Sequence, residues 1–398
     1  MSKKADKDTI KYLNRQTVLR IIREHNEISR TDLTEKTKMS PTTISAITAD
    51  LMDAGFIHEI RVGKSSGGRP PVIFGLNPSS ASSINLNVTP KGASVSIINL
   101  ANEIVYKKEI ISSVYNESSL ELLLNESIKN ALENFEYDTE LIQGVGISFP
   151  GLIDYKNCSI IFSASLHIEN FDVKKVIRAV LDRNIYIYKD TDALLLGEYY
   201  FGIDKKYRDV IYILVDNGVG MSYLHNGKLF RLPEGGFELG HLTIDPQGEL
   251  CRCGNRGCLG TMISKVPAQK RLSDILQKGM ESRVEEISSL KYEDIIKLYL
   301  EKDPACSIVI DEQINLLGTT ISNIVNIFNP QLVILGGAFS SGGEDIRNSL
   351  KQILDKKALK SFSSTTELKL SSFGINSALL GISHEIFTHE VYKFIDLK

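Results

Sequence analysis

The sequence predicts an α/β protein: a two-lobed body, residues 79–398, behind a small winged helix-turn-helix head, residues 1–78. Three observations predict it. From residue 83 onward strand and helix patterns alternate, and they do so in two successive sets. The first 78 residues instead hold three short helical patterns and then two short strands around a glycine-rich loop. The charge also changes between them, from net +4 over residues 1–78 to −7 over the remainder. A basic head on an acidic body suits a nucleic-acid-binding module fused to a second function. At 398 residues the chain is long enough for two or three domains.

In the head, the first helix runs from about Arg15 to Glu24, with Val18, Leu19, Ile21 and Ile22 as its apolar stripe. The second starts near Ser29, where Ser29-Arg30-Thr31-Asp32 supplies capping residues before Leu33. The third opens Ser40-Pro41, an N-cap followed by proline at the first helical position. Ile44, Ile47 and Leu51 give it one buried face, and Thr42, Thr43, Ser45 and Thr48 are expected on the other. With Ser40, these small hydroxyl side chains suit a helix that enters a major groove to reach bases and phosphates. Gly55 ends that helix. Phe56–Arg61 and Val72–Leu76 then read as strands around residues 63–71, a wing whose Lys64 and Arg69 meet phosphates or a minor groove. A helical module for protein contacts is the competing reading. The capped third helix and the basic wing together favour double-stranded DNA, read by a homodimer or homotetramer on a palindromic site.

The body begins with strands Ser83–Val88, Ala93–Leu100 and Glu103–Ile111, the last two joined by an Ala101-Asn102 turn. A helix, strands Gly144–Phe149 and Ile185–Lys189, and a helix over Ala193–Tyr200 complete the first set. The second set opens with strands Asp209–Val215 and Gly220–His225, followed by an Asn226-Gly227 hairpin turn. Helices around 280–300 and 308–328 and a strand Leu332–Leu335 follow.

Three of the five cysteines, Cys251, Cys253 and Cys258, fall within eight residues, ten residues after His241. An odd count with no signal peptide argues against a disulfide framework and for a metal site in a cytoplasmic protein. No apolar stretch is long enough for a membrane span. A Cys₃His set suits tetrahedral zinc, and four protein ligands leave no open position, so the zinc is expected to be structural. Gly254 and Gly257 allow the tight turns that bring three thiolates onto one ion.

The string Glu238-x-Gly240-His241…Cys251-x-Cys253-Gly254-x-x-Gly257-Cys258 resembles the signature of the ROK (repressor, ORF, kinase) family. The wing's Ser-Gly-Gly-Arg is similar to that of the family's repressors, and the resemblance extends over nearly the whole chain. It implies an actin-like, sugar-kinase fold for the two lobes. It also implies an effector site built from Gly151, Lys189, Asp190, Glu238 and His241, with His241 binding zinc through one ring nitrogen and facing the sugar with the other. In the family's kinases, the residue at the position of Asp190 is the general base.

Departures from the family pattern shape the functional expectation. The kinases' phosphate loop reads Asp-x-Gly-Gly-Thr, whereas this chain has Asn87-Val88-Thr89-Pro90-Lys91, with no N–H at Pro90. Gly218-Val219-Gly220 and Gly336-Gly337 survive. These losses imply a sugar-sensing regulator without kinase activity, with Asp190 a vestigial base. A sugar kinase carrying a DNA-binding head, and a DNA-binding protein whose body only oligomerises, are the alternatives. Lys189 stands where the family has Asn, and Gly260 where it has Glu. If both point inward, the pocket gains two units of positive charge, which favours a sugar phosphate or sugar acid over a plain sugar. If Lys189 pairs with Asp192 or Glu238, the ligand is an uncharged sugar.

Overall fold

The computed structural model describes residues 7–63, 70–232, 236–374 and 376–392. In the head, α1 (Lys7–His25), β1 (Ile28–Ser29), α2 (Arg30–Thr37) and α3 (Pro41–Asp53) precede β2 (Ile57–Val62) and β3 (Val72–Leu76). Ser29 caps α2 in a capping box: its hydroxyl accepts from Asp32 N at 3.1 Å, and the Asp32 carboxylate accepts from Ser29 N at 3.3 Å. Lys38, at φ 58°, ends α2 in the left-handed region, and Ser40 then caps α3 by accepting from Thr43 N at 3.1 Å. The three strands pair in the order β1-β3-β2, so the wing sheet is anchored at the entry to the helix-turn-helix. Lys64 and Arg69 of the wing lie outside the described residues.

The two lobes share one strand pattern. Lobe I contains β4 (Ser82–Thr89), β5 (Gly92–Asn99), β6 (Ile104–Ile111), α4 (Glu117–Glu133) and β7 (Ile142–Phe149). A small antiparallel sheet follows, β8 (Leu152–Asp154), β9 (Ser159–Ser163) and β10 (Ile168–Asp172), and then α5 (Val173–Arg178), β11 (Asn184–Lys189) and α6 (Asp190–Gly197). Lobe II contains β12 (Val210–Val215), β13 (Val219–His225), β14 (Lys228–Leu229), α7 (Lys265–Gln277), α8 (Tyr292–Leu300) and α9 (Pro304–Phe328). It closes with β15 (Leu332–Gly336), α10 (Gly343–Lys357), α11 (Lys360–Ser363) and β16 (Glu367–Leu370), and the chain then enters α12 (Asn376–Glu390). The main sheets run β11-β7-β4-β5-β6 and β14-β13-β12-β15-β16. In each, an antiparallel trio is extended by two parallel strands, which is the doubled layout the two sequence sets anticipate.

Some boundaries differ from expectation. The helix expected around 280–300 starts only at Tyr292, and α7 precedes it where no helix was anticipated. The α9 helix starts at Pro304, because Asp303 accepts from Cys306 N at 3.0 Å and caps it. Among the described residues, no helix is long and apolar enough to cross a membrane.

One element ties the three parts together. The α12 helix crosses α6 with backbones in contact. A Cβ at Gly381 would lie 2.5 Å from Ala193 O, and one at Gly197 would lie 1.9 Å from Ser377 O. The buried Glu198 pins the start of α12, accepting through Oε1 from Ser371 and Ser377 hydroxyls at 2.6 and 2.8 Å. The last turn of α12 then joins the head. Phe387, Val391 and Tyr392 share a core with Val18, Leu19, Ile22, Leu33, Ile44 and Phe74. Gln16 donates to Tyr392 O at 2.7 Å, and the Arg23 guanidinium stacks 4.5 Å from the Tyr392 ring.

Candidate functional site

On α3, Ile44, Ile47 and Leu51 are buried as the spacing predicts. Ser40, Thr42 and Ser45 are exposed, and Thr43 is half-buried with its hydroxyl 2.8 Å from that of Ser40. Thr48 does not belong to this face. It is fully buried, accepts from Arg30 Nε at 3.0 Å and donates to Ser45 O at 3.2 Å. It therefore ties α2 to α3 instead of meeting a ligand. The sequence assigns it wrongly because position 48 lies at the edge of the apolar stripe, where the rotation of a single residue, about 100°, separates inside from outside.

In the body, the candidate effector residues gather at the carboxyl ends of the parallel strands of lobe I, where open α/β sheets place their ligands. The β7 and β11 strands pair in parallel up to Phe149↔Lys189, so Gly151 and Asp190 follow strands that end side by side. Gly151, at φ +119°, has another reason to be glycine: a Cβ would lie 2.4 Å from Phe162 O of β9. Glu238 and His241 come from lobe II, on one tight turn closed by His241 N donating to Glu238 O at 2.9 Å. Gly240 inside that turn packs on β13, where a Cβ would lie 2.5 Å from Val219 O.

Lys189 decides the electrostatics. It is buried, and its ammonium donates to Glu238 Oε1 at 2.6 Å and to Gly236 O at 3.1 Å. The pair crosses from one lobe to the other and neutralises the cation. The expected gain of free positive charge is therefore absent, because Lys189 already has its counter-charge. A second clasp runs beside it and escaped the sequence reading. Arg231 of lobe II stacks 4.3 Å from the Tyr155 ring and 5.1 Å from the Tyr188 ring, with Nε 3.5 Å from Asp192 Oδ2. Tyr155 and Ser222 hydroxyls donate to the same carboxylate at 2.8 and 2.6 Å. Arg231 lies in no recognisable motif, so only the fold shows its role.

Among the described residues, Asp190 is the acid of this group without a cationic bond partner. Desolvation raises its carboxyl to about 6, against the pull of Lys189 and of the Thr191 N–H it accepts at 2.7 Å. A carboxyl raised in the folded state stabilises the fold below its ordinary value of 3.8 and loses that contribution as pH climbs through 6. Asp190→Asn is therefore expected to have a higher Tm than wild type at pH 7.5, with the two converging near pH 4. A thermal-melt series across that window checks it, and parallel curves would refute it.

The metal-type group is assembled as the spacing implies. Ligand atoms of His241, Cys251, Cys253 and Cys258 all lie within 4.8 Å of one another, a group that can hold a metal ion. His241 Nδ1 is 3.7 Å from Cys251 Sγ, and Cys253 Sγ is 3.7 Å from Cys258 Sγ. Gly254 and Gly257 have φ of +91° and +66°. At Gly257 a Cβ would also lie 1.5 Å from Asp245 O, so the loop closes only around glycine. Burial pushes the Cys258 thiol up to about 12. A bound cation relieves that penalty by holding the sulfur as thiolate.

The comparisons with known proteins agree with this geometry. The ROK family model matches residues 88–386, and a winged helix-turn-helix DNA-binding model matches residues 14–58. The chain belongs to the ROK family. The xylose repressor of Bacillus subtilis (strain 168) is 29% identical over 395 residues, 99% of this chain and 98% of that protein. The DNA-binding transcriptional dual regulator NagC of Escherichia coli (strain K12) is 26% identical over 373 residues, 94% of this chain and 92% of that protein. Among solved structures, a ROK family transcriptional regulator, homolog of the E. coli MLC protein, superimposes with a TM-score of 0.80 at 25% identity. That match covers 96% of this chain and 97% of the other. The ROK body and the actin-like fold expected from the sequence are thus present, with the winged helix-turn-helix in front.

Proposed function

We propose that the chain is a transcriptional repressor of carbohydrate genes: residues 1–78 bind operator DNA, and residues 79–398 bind a sugar that alters operator affinity. The observation that carries this reading is the joining, in one chain, of a capped and solvent-facing α3 to a ROK cleft where Asp190 and Glu238 converge. Relatives named as repressors over nearly the full length support it. The full-length protein is expected to bind palindromic fragments of its own genome as a dimer or tetramer, more weakly as salt rises. A sugar is expected to shift that affinity. Salt-insensitive, sequence-blind binding in an electrophoretic titration would end the proposal.

The kinase alternative is disfavoured by the β4–β5 hairpin. The Lys91 N–H donates to Thr89 Oγ1 at 3.3 Å, and Pro90 has none to offer. The Pro90 and Lys91 carbonyls accept from Val114 and Ser112 at 2.9 and 3.1 Å, so the turn is stitched shut. The Asn87 amide oxygen is taken by the Ser148 hydroxyl at 2.7 Å. Three of the four surviving glycines have packing reasons: a Cβ at Gly337 would lie 2.4 Å from Val215 O, one at Gly336 1.8 Å from Tyr212 Oη and one at Gly220 2.7 Å from the Thr191 methyl, whereas Gly218 has open space around it. Phosphoryl transfer is positioning and charge stabilisation, and this hairpin offers a phosphate no cradle. An ATP-consumption assay against a sugar panel tests it, and turnover above background would restore the enzyme reading.

The metal is best read as zinc with a structural role, because three thiols and an imidazole form a closed tetrahedral set. The effector is best read as an uncharged sugar. With Lys189 held by Glu238 and Arg231 beside Asp192, the charge left over in the cleft is the Asp190 carboxylate, which accepts from hydroxyls and repels an anion. Calorimetry with D-xylose, N-acetylglucosamine and their phosphates is expected to favour the neutral compounds. Tighter binding of a phosphorylated sugar, lost in Lys189→Asn, would reverse this assignment.

A further inference from the structure

The outward face of α3 carries information about the operator. Thr42, Ser45, Ala46 and Ala49 face solvent, follow one another at helical spacing and form a single stripe, which the exposed Asp53 continues at the helix's last residue; Pro41 is exposed at its start. Within the stripe, the four residues before Asp53 are all small. The helix Pro41–Asp53 contains no Arg, Lys, Asn, Gln or His. Guanine is commonly recognised by bidentate Arg or Lys, and adenine by bidentate Asn or Gln. None of those pairings can originate on this helix.

What the stripe does offer is of two kinds. The Ser40 and Thr43 hydroxyls are engaged with each other at the cap, 2.8 Å apart, which leaves Thr42 and Ser45 as the outward-facing hydroxyls. Ala46 and Ala49 present methyl groups, whose matching partner in the major groove is the thymine C5-methyl. Of the two acids of this helix, Asp50 is held by Arg15 and lies 3.9 Å from Lys11, so its charge is compensated within the head. Asp53 is exposed at the C-terminal end of the stripe, away from the N-terminal turns that carry Thr42, Ser45 and Ala46. Short side chains also let the helix axis approach the groove floor. The winged helix-turn-helix DNA-binding match over residues 14–58 includes this helix.

We infer that this protein reads its operator through thymine methyl groups: Ala46 and Ala49 pack against them, with Thr42 and Ser45 supplying hydroxyl contacts. The inference rests on the DNA-binding reading above and adds the chemistry of the base that is recognised. It makes Ala46 and Ala49 specificity-determining, although both would ordinarily pass for helix-forming filler.

The test uses full-length protein and a random-sequence duplex library. The enriched half-site is expected to contain at least two T·A pairs in its core. Replacing each thymine singly by 2′-deoxyuridine removes only the methyl. Each replacement is expected to weaken binding about fourfold, the effect of roughly one buried methyl-sized group. In Ala49→Gly the helix itself weakens, which lowers affinity for every duplex alike. The deoxyuridine penalty at one specific position should then vanish, a coupling that general destabilisation does not imitate. A core that requires G·C pairs, or thymines that tolerate deoxyuridine without change, overturns the methyl readout while leaving DNA binding intact. A library that returns no enriched sequence overturns both it and the repressor reading beneath it.

Discussion

Cys258→Ser protein is expected to purify with less than one metal per chain and to melt well below wild type, with the loss concentrated in lobe II. Cys258 is buried, and its neighbour Leu259 lies in the lobe II core with Leu239, Ile263 and the apolar face of α9. The loop from His241 to Cys258 has little regular structure of its own. It contains two isolated bridges, Thr243↔Cys258 and Leu250↔Arg256, and no helix or extended strand. Backbone bonds such as Ile244 N to Gly257 O at 2.8 Å hold parts of it, and on the proposed zinc reading the four ligands meeting at one ion hold the rest. A structural zinc contributes several kcal/mol, and about 1 kcal/mol moves the midpoint of a domain this size by roughly 2–4 °C, so a fall on the order of 10 °C is expected. Chelation of wild type should produce the same shift, reversed by added zinc. Because Glu238 sits on the turn that ends at His241, both treatments should also abolish sugar binding. A metal-free wild-type protein of unchanged Tm would sink the assignment.

That site was legible in the sequence because its chemistry is local: four ligands and two glycines within eighteen residues fix both the donor set and the turns. The capped helices of the head were legible for the same reason, since Ser29 and Ser40 act within three residues of themselves. The charge state of the cleft was not. Whether Lys189 is free or paired depends on Glu238, 49 positions away in the other lobe. Arg231 could not be assigned at all, since its partners Tyr155, Tyr188 and Asp192 lie in the other lobe, the nearest of them 39 positions earlier in the chain. Thr48 failed for a subtler reason. A hydroxyl beside an apolar stripe reads as outward by pattern, but a buried hydroxyl is stable where a long-range donor such as Arg30 satisfies it. The small sheet β8–β10 was also invisible, because its strands of three to five residues are too short to show alternation.

Phe387→Ala is expected to damage the DNA-binding head although Phe387 lies more than 300 residues from it in sequence. The ring is fully buried in the cluster that holds Leu19, Ile22, Ile44 and Phe74 together. Truncating a buried Phe costs about 3–5 kcal/mol, a large part of the stability of a small domain. The cost should fall on α1–α3, so backbone amides there should exchange faster with deuterium and operator affinity should drop. Phe339→Ala, an equally buried truncation in the lobe II core, serves as the control. It should lower overall Tm without preferentially exposing the head. Equal exchange in the head of both variants would show that the head's core is independent of α12. The expected asymmetry has a functional consequence. The α12 backbone touches α6 at Gly381 and Gly197, and α6 begins at Asp190 in the cleft. The packing of the DNA-binding head therefore depends on the position of the helix that begins at Asp190, the acid proposed to meet the effector. A ligand that binds one arrangement of that helix more tightly than another biases the head through the same contacts.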